Sequence, residues 1–412
     1  MEEYTTYGVK ILHYNPVFRR TTEIYREAVD FFIHVCLREW DCLSSLSGLK
    51  KNNEVEKLTV ITKRRPAVPY DFSVRFYKFP SYYRRAAIAE AIGKVSSYKS
   101  SLARWEKEKT GRAPGIPRAG RVYPALYRKN TYLRTGDYSA EIKVYIRNTW
   151  DWLKVRLKRS DVDYIQRHCS KRKECVPTLQ KRGKEWYLDF SFAEKTVLNE
   201  RPLCGRTILS VDLGINQACV CTGMQPDGTV TGRGFLALPV EKDSLEHAIG
   251  RIKKAQQHGA VKVPRLWASA KGINDRIAVK TAAFIMEKAL EYHADVIVFE
   301  HLELGGKKRG SKKQRLHHWK ARYVQKMVTG KAHRAGIRVS HVNAWGTSAY
   351  AFDGSGRTDR KEFGNYSICR FPNGKIYHSD LNASYNIGAR YFIREHIKSL
   401  PERERLGIAA KV

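Results

Sequence analysis

Apolar and polar positions change their period several times along the chain, and each change marks a different kind of element. Residues Gly8 to Leu12 predict one short strand; Ile24, Ala28, Phe31, Phe32, Val35 and Leu37 then recur at helical spacing between Thr21 and Trp40. Lys50-Lys51-Asn52-Asn53 reads as the break of that helix, and Pro66 and Pro69 as a loop. A basic amphipathic helix follows from Tyr82 to Lys107, with Ala87, Ile88, Ala91, Ile92 and Val95 on one side and Arg, Lys and Ser on the other. Beyond the Gly/Pro loop from Arg112 to Pro124 the period falls to two. Val144/Ile146, Leu153/Val155/Leu157 and Trp186/Leu188/Phe190 alternate with charged residues, and Lys181-Arg182-Gly183-Lys184 supplies a turn between two such strands. The first half therefore predicts a small antiparallel barrel interrupted by a helical insertion.

From Thr207 the pattern changes again. Ile208 to Asp212 is a short apolar strand, Gln225-Pro226-Asp227-Gly228 a turn, and Thr229 to Leu236 a returning strand, which together predict a β-meander. A long helix from about Ala270 to Tyr292, with Ile273, Ile277, Thr281, Phe284 and Ile285 in register, feeds the apolar strand Val296 to Glu300. A helix from Leu316 to Ala335, a strand from Ile337 to Val342 and a last helix starting near Asp380 complete the order. Strands followed by alternating helix and strand predict an α/β domain with a mixed sheet, so the whole chain reads as multidomain α+β.

Composition adds the partner. Across 412 residues, 76 Lys+Arg against 41 Asp+Glu leave a formal charge of +35, while 42% of residues are apolar and 11% aromatic. That is enough apolar material to bury cores, so the charge sits on folded surface and calls for a polyanion. No run approaches the 18 or more apolar residues of a membrane span, and Met1-Glu2-Glu3-Tyr4 has neither the basic nor the apolar region of a signal peptide. An intracellular nucleic-acid protein is expected. The eight cysteines, Cys36, Cys42, Cys169, Cys175, Cys204, Cys219, Cys221 and Cys369, are scattered, and are expected to be reduced and mostly structural.

Three acids stand at element ends: Asp212 closes the first strand of the second half, Glu300 closes a later one, and Asp380 opens the last helix. Each alone has a plainer reading, as a turn cap, a solvated strand end or a partner of the helix dipole. Jointly, strand ends of an open α/β sheet form its ligand crevice, and three carboxylates converging there are hard-oxygen ligands for Mg2+ or Mn2+. Two ions about 3.5–4 Å apart would activate water and stabilise the leaving oxygen in phosphodiester hydrolysis. Gly214 permits close backbone approach beside Asp212.

The segments V-D-L-G-I-N at 211–216, V-F-E-H-L at 298–302 and S-D-L-N-A-S-Y-N-I at 379–387 resemble, in order and separation, the three RuvC motifs of the TnpB nucleases and the compact type V CRISPR effectors. The resemblance covers Thr207 to Ile397 and, more loosely, the N-terminal half with its P-G-I-P-R loop at 114–118. It implies an RNase H-like nuclease domain, a wedge-type barrel and a helical region that holds a guide RNA, with Asp212, Glu300 and Asp380 as catalytic triad and magnesium ligands. On that basis the chain divides into the first wedge strand (1–17), a helical recognition insertion (18–115), the rest of the wedge (116–203), RuvC motifs I and II (204–342), a target-nucleic-acid-binding-like insert (343–378) and motif III with the C-terminal helix (379–412). One departure concerns the zinc ribbon of TnpB. Thr347-Ser348 is retained, but Ala351, Gly354, Arg370 and Asn373 occupy the cysteine positions, and Cys369 stands one residue off register, so no zinc is expected. The insert would instead rest on a small core of Phe352, Phe363, Tyr366 and Phe371.

Two basic segments complete the expected interface. Gly305 to Arg315 carries six cations, Lys307, Lys308, Arg309, Lys312, Lys313 and Arg315, close behind Glu300, and is expected to be a mobile lid or strand-guiding loop. Trp319 is expected in the core, with His317 and His318 near nucleic acid. Arg75, Tyr77, Lys78, Tyr82, Arg84 and Arg85 interleave cations with aromatics, a mixture suited to stacking and phosphate contact, and Arg118 continues the positive surface. The competing reading of that stretch is an amphipathic helix start with its rings buried. The implied function is an RNA-guided DNA endonuclease that reads a short flanking motif while guide pairing reads sequence, its partners being a guide RNA and a double-stranded DNA target. The guide is either a transposon-end RNA or a CRISPR RNA. An RNA-guided repressor without cleavage and a guide-free RuvC-type nuclease are the alternatives; the first would have lost triad acids, and the second leaves the basic N-terminal half unexplained.

Overall fold

The computed structural model describes residues 1–12, 16–109, 111–214, 217–302, 320–360, 367–402 and 404–405. They form two compact units, one of Tyr4–Glu194 and one of Met1–Glu3 with Lys195–Val412. Among the described residues no helix is long and apolar enough to cross a membrane. The predicted Lys307–Arg315 loop, Leu316 to Trp319, Phe363 and Tyr366 lie outside the described residues.

In the N-terminal unit the first strand is longer than its apolar signal. β1 (Glu2–Lys10) alternates burial along its length, but Glu and Thr at its start hide the alternation from a hydropathy reading. Helices α1 (Pro16–Arg38), α2 (Trp40–Ser44) and α3 (Gly48–Thr59) follow. Lys50-Lys51-Asn52-Asn53 does not break a helix, as the sequence suggested; it lies within α3, and the interruption comes earlier, around Ser45-Leu46-Ser47. The physical reason is that Val55 and Thr59, four residues apart, are buried, so the polar run is the outer face of an amphipathic helix. After α4 (Phe72–Arg75), capped by Asp71, α5 (Ser81–Glu108) buries Tyr83, Ala87, Ile88, Ala91 and Val95, close to the predicted stripe.

The predicted barrel is corrected: the strands form two open sheets. β2 (Tyr132–Gly136), β3 (Ser139–Ile146) and β4 (Thr149–Arg156) are an antiparallel meander; β1, β5 (Lys173–Glu174) and β6 (Thr178–Arg182) all pair with β7 (Glu185–Lys195). The backbones of the two sheets are joined at one corner by bonds such as Leu12 N to Arg156 O at 2.9 Å and a bridge between Ile11 and Leu157. That ladder stops because the chain turns directly into α6 (Arg159–Cys169). Helices and sheets nevertheless share one core, in which Phe18, Tyr25, Phe32, Tyr83, Trp186 and Phe190 are fully buried.

The second unit is built on a five-stranded mixed sheet. β8 (Ile208–Asp212), β9 (Cys219–Met224) and β10 (Val230–Leu236) form the predicted antiparallel meander, and β11 (Val296–His301) and β12 (Arg338–Asn343) add parallel to β8, giving the order β10-β9-β8-β11-β12. Strands β8 and β11 are buried on both faces, in keeping with the unbroken apolar run of β11 and a run in β8 interrupted only by the buried Ser210. Helices α7 (Pro239–Gln257), α8 (Pro264–Glu291), α9 (Ala321–Arg334) and α10 (Ser379–Ser399) complete the unit together with the hairpin β13 (Ile368–Arg370) and β14 (Ile376–His378). α7 carries no clean apolar stripe and buries only Ile252 fully, so it was invisible to periodicity. In α8 the buried line runs through Ala270, Asn274, Ala278, Thr281, Ala282 and Ile285, with Ile273 and Ile277 at its margin.

Small side chains let α10 lie close against the sheet. A Cβ on Gly388 would stand 2.9 Å from Met224 Sδ, and Ser384 Oγ and Thr222 Oγ1 share a buried hydrogen bond of 2.6 Å. Met224 and Thr222 lie on β9, and the Gly388 position is also 3.4 Å from Ser210 Oγ of β8, so this close approach seats α10, which opens with Asp380, over β9 and the strand that carries Asp212.

Candidate active site

Asp212 is the last residue of β8, Glu300 lies one residue before the end of β11, and Asp380 is the second residue of α10. Parallel pairing of β8 with β11 aligns Val211 with Phe299, so the two acids leave neighbouring strands at the same level. All three are partly exposed, and the charges of Glu300 and Asp380 reach Asp212. Burial pushes the Asp212 carboxyl well above the ordinary Asp value of 3.8, and the charges of Glu300 and Asp380 push it further, against Arg360. Burial also raises Glu300, opposed by a hydrogen bond from Thr347 and the charge of Arg390, and raises Asp380, opposed by His378, Arg360 and Lys242. The structure thus brings the three predicted acids to one place.

The support around Glu300 was not read from the sequence. Thr347, buried in the loop after β12, donates its hydroxyl to Glu300 Oε1 and to Ala344 O, and Gln325 Nε2 donates to the Glu300 carbonyl at 2.9 Å. Asn386 Nδ2 donates to the carbonyls of Thr347 and Tyr350 at 2.8 Å, and Asn382 pairs with Tyr350 O and Phe352 N. The helix bearing Asp380 therefore also holds the loop that holds Glu300. The retained Thr347-Ser348 pair and the two Asn of the last motif were the available signals. Arg360 donates to Ser348 O at 2.5 Å, while its buried Nε finds no partner among the described residues.

The insert is closed by its own packing. Ala351, Cys369 and Phe371 form a small core with Phe352 and Tyr377 against it, and the Lys375 ammonium stands 4.9 Å from the Phe352 ring centre and 5.1 Å from that of Tyr377. Of the ribbon positions, Ala351 is buried, Gly354 sits in a left-handed turn, and Asn373 Nδ2 donates to Asp353 Oδ2 at 3.0 Å, tying the two turns together. Cys369 Sγ donates to Tyr377 O and the His378 ring accepts from Leu381 N, so each already has a role.

In the N-terminal unit the aromatic and basic residues divide. Phe76, Phe79 and Tyr83 are buried, whereas Tyr77 is 75% exposed with Lys78 over its ring. Arg84 is half-buried and paired with Glu56 at 2.9 Å, Arg75 approaches Glu27 at 3.4 Å, and Arg85 lies over Tyr82, which packs on Tyr127. Arg85 and Arg118 are exposed.

Among the described residues no group of three His, Cys, Asp or Glu side chains is arranged to hold a metal ion as it lies. The donor set itself suits a hard divalent cation: three carboxyls from three elements, two of which push the third, Asp212, toward the neutral form. The sign of the pH effect follows. The unfolded chain ionises first as pH rises through the ordinary carboxylate range, so these raised groups cost the metal-free fold stability above that range. Asp212→Asn is expected to raise the melting temperature of EDTA-treated protein at pH 7, with the gain shrinking toward pH 4. Magnesium should then stabilise the parent, by about 2.7 kcal/mol at a hundredfold excess over Kd, and the variant much less. Equal metal-induced shifts in a thermal scan would remove Asp212 from the cation site.

The five-stranded unit with acids at its strand ends, joined to a basic helical and two-sheet unit, is the multidomain α+β fold of Cas12 effectors. Two solved structures share it: a Cas12f1-sgRNA-target DNA complex (TM-score 0.55, 12% identity, 90% of this chain and 81% of that one) and the mini-RNA-guided endonuclease CRISPR-Cas_phi3 (TM-score 0.51, 10% identity, 94% and 92%). At such identities the likeness is one of fold. The Aq_aa04 family profile matches residues 5–146. The uncharacterized protein aq_aa04 of Aquifex aeolicus (strain VF5) is 34% identical over 125 residues, which is 26% of this chain and 69% of that protein. The TnpB-like protein aq_aa05 of the same organism is 29% identical over 170 residues, 36% of this chain, and the match spans about half of its length (55%). The chain belongs to the Aq_aa04 family, and is similar over part of its length to a TnpB-like protein.

Proposed function

We propose that this chain is an RNA-guided DNA endonuclease whose RNase H-like, RuvC-type unit hydrolyses phosphodiester bonds at Asp212, Glu300 and Asp380. The observation that carries the reading is the meeting of those three carboxyls at the ends of β8 and β11 and the start of α10. The strand order β10-β9-β8-β11-β12, a meander extended by two parallel strands, supports the RNase H-like assignment. Asp212, Glu300 and Asp380 would hold magnesium or manganese, two ions in the full site, which would supply an activated water and neutralise charge on the leaving 3′ oxygen. Thr347 keeps the Glu300 carboxylate oriented, while Arg360 and Lys242, which bear on Asp380, lessen the repulsion an incoming phosphate would meet.

The charge of +35 supports a nucleic-acid partner, and exposed Tyr77, Lys78, Arg85 and Arg118 suit backbone contact in the N-terminal unit. Guide RNA, from a transposon end or a CRISPR array, would read sequence by pairing, and the protein a short flanking motif in double-stranded DNA. The insert would serve target contact without zinc. The test is purification from cells that carry the native locus, followed by RNA sequencing, elemental analysis and a magnesium-dependent cleavage assay. Expected are one co-purifying RNA species, no stoichiometric zinc, and cleavage of DNA complementary to that RNA. Cleavage by RNA-free protein at branched DNA would instead mark a guide-free nuclease.

A further inference from the structure

The loop between β12 and the insert presents an indole beside the acids. Trp345 is 72% exposed, although Thr347, two residues on, is buried on Glu300. Single exposed apolar side chains are ordinary, but this one is held out by its surroundings. Its backbone N–H donates to Asn343 Oδ1 at 2.9 Å, and Gly346 follows at φ +71°, where a Cβ would stand 2.9 Å from the Tyr350 ring. Tyr350 backs the indole at 5.9 Å between ring centres, and its carbonyl is fixed by Asn382 and Asn386. Asn343 pairs with His301, the residue after Glu300, so the loop begins at the acids' end of the sheet. Arg390, whose charge bears on Glu300, donates to Asn343 O at 2.7 Å and reaches 3.8 Å from the same Gly346 position. An exposed indole and a supporting phenol ring thus share one loop, and a guanidinium from α10 reaches it, on the side of Glu300.

We propose that Trp345, backed by Tyr350, is a stacking platform for one nucleobase of a single strand whose backbone passes the three acids. The proposal rests on the nuclease reading of the site and deepens it. An aromatic platform takes any base by its π face and needs the base unpaired, so the substrate at this point is single-stranded. Stacking also releases no counterions, which separates it from a phosphate contact.

The experiment measures binding of oligodeoxythymidylate by Asp212→Asn protein without magnesium, over a series of salt concentrations, with a duplex oligonucleotide in parallel. Adding Trp345→Ala is expected to weaken single-strand binding by roughly 5- to 100-fold at every salt concentration, the worth of one base stack, leaving the log-log slope unchanged. Trp345→Phe should recover most of the loss, and duplex binding should be unaffected. Superimposed single-strand curves, or an equal loss on duplex with a shallower slope, would overturn the platform. Because the assay needs no cleavage, the two ideas fail separately: a Trp345-dependent offset in a protein that never cuts contradicts only the nuclease reading, whereas cutting with no such offset contradicts only the platform.

Discussion

Asp212→Ala, Glu300→Ala and Asp380→Ala are each expected to lower the cleavage rate by a factor on the order of 10^4 or more while leaving guided DNA binding nearly intact. Asp212 feels the charges of Glu300 and Asp380, and the three are assigned one cation site, so they act as a unit, and a double substitution should be little worse than a single one. Binding is expected to survive because the nucleic-acid contacts assigned here are cations and aromatic rings rather than the carboxyls. Single-turnover cleavage in saturating magnesium, with filter binding of uncut target, separates the two effects. Full-rate cleavage by any one variant would take that residue out of the site.

Thr347→Val should be the next largest loss. Its hydroxyl is a donor to the Glu300 carboxylate, and it sits in a buried position that valine fills with nearly the same shape. Removing it leaves Glu300 free to turn from its working orientation and pushes its carboxyl further upward, since the Thr347 hydrogen bond is what opposes burial there. Outer-shell partners of metal-holding carboxylates are typically worth 10- to 100-fold, and that is the expected fall in kcat, with KM for target little changed. The acid limb of the pH-rate profile should move up, because a carboxyl with a raised value must lose its proton before it can hold a cation. Thr347→Ser keeps the hydroxyl and should keep most of the rate. An equal loss in serine and valine variants would mean that the methyl packing, rather than the hydroxyl, matters.

Much of this arrangement was legible in residue order. Strands β8 and β11 announce themselves by short, predominantly apolar runs, because both of their faces are covered, and an acid ending such a run stands at a sheet end. Asp380 at the opening of a helix is readable in the same way. What stayed hidden depends on contacts remote in sequence. The link from Thr347 to Glu300 spans 47 residues, and the one from Asn386 to Thr347 spans 39. Closure of the N-terminal strands into a barrel was expected because alternation reports which face is buried and says nothing about how far a ladder continues; here it ends where Leu157 leads into α6. Lys50 to Asn53 were misread for a related reason, since a polar run on the outer face of α3 has the composition of a break.

In the function proposed here, RNA chooses where this protein cuts. The direct measurement is to replace the guide segment of the co-purifying RNA with an unrelated sequence, reconstitute the complex, and map breaks on a plasmid carrying both the old and the new complementary sites beside the same flanking motif. The account predicts that magnesium-dependent cuts move to the new site and vanish from the old one, and that Asp380→Ala abolishes both. Cuts that stay at the old site, or appear without RNA, would contradict it.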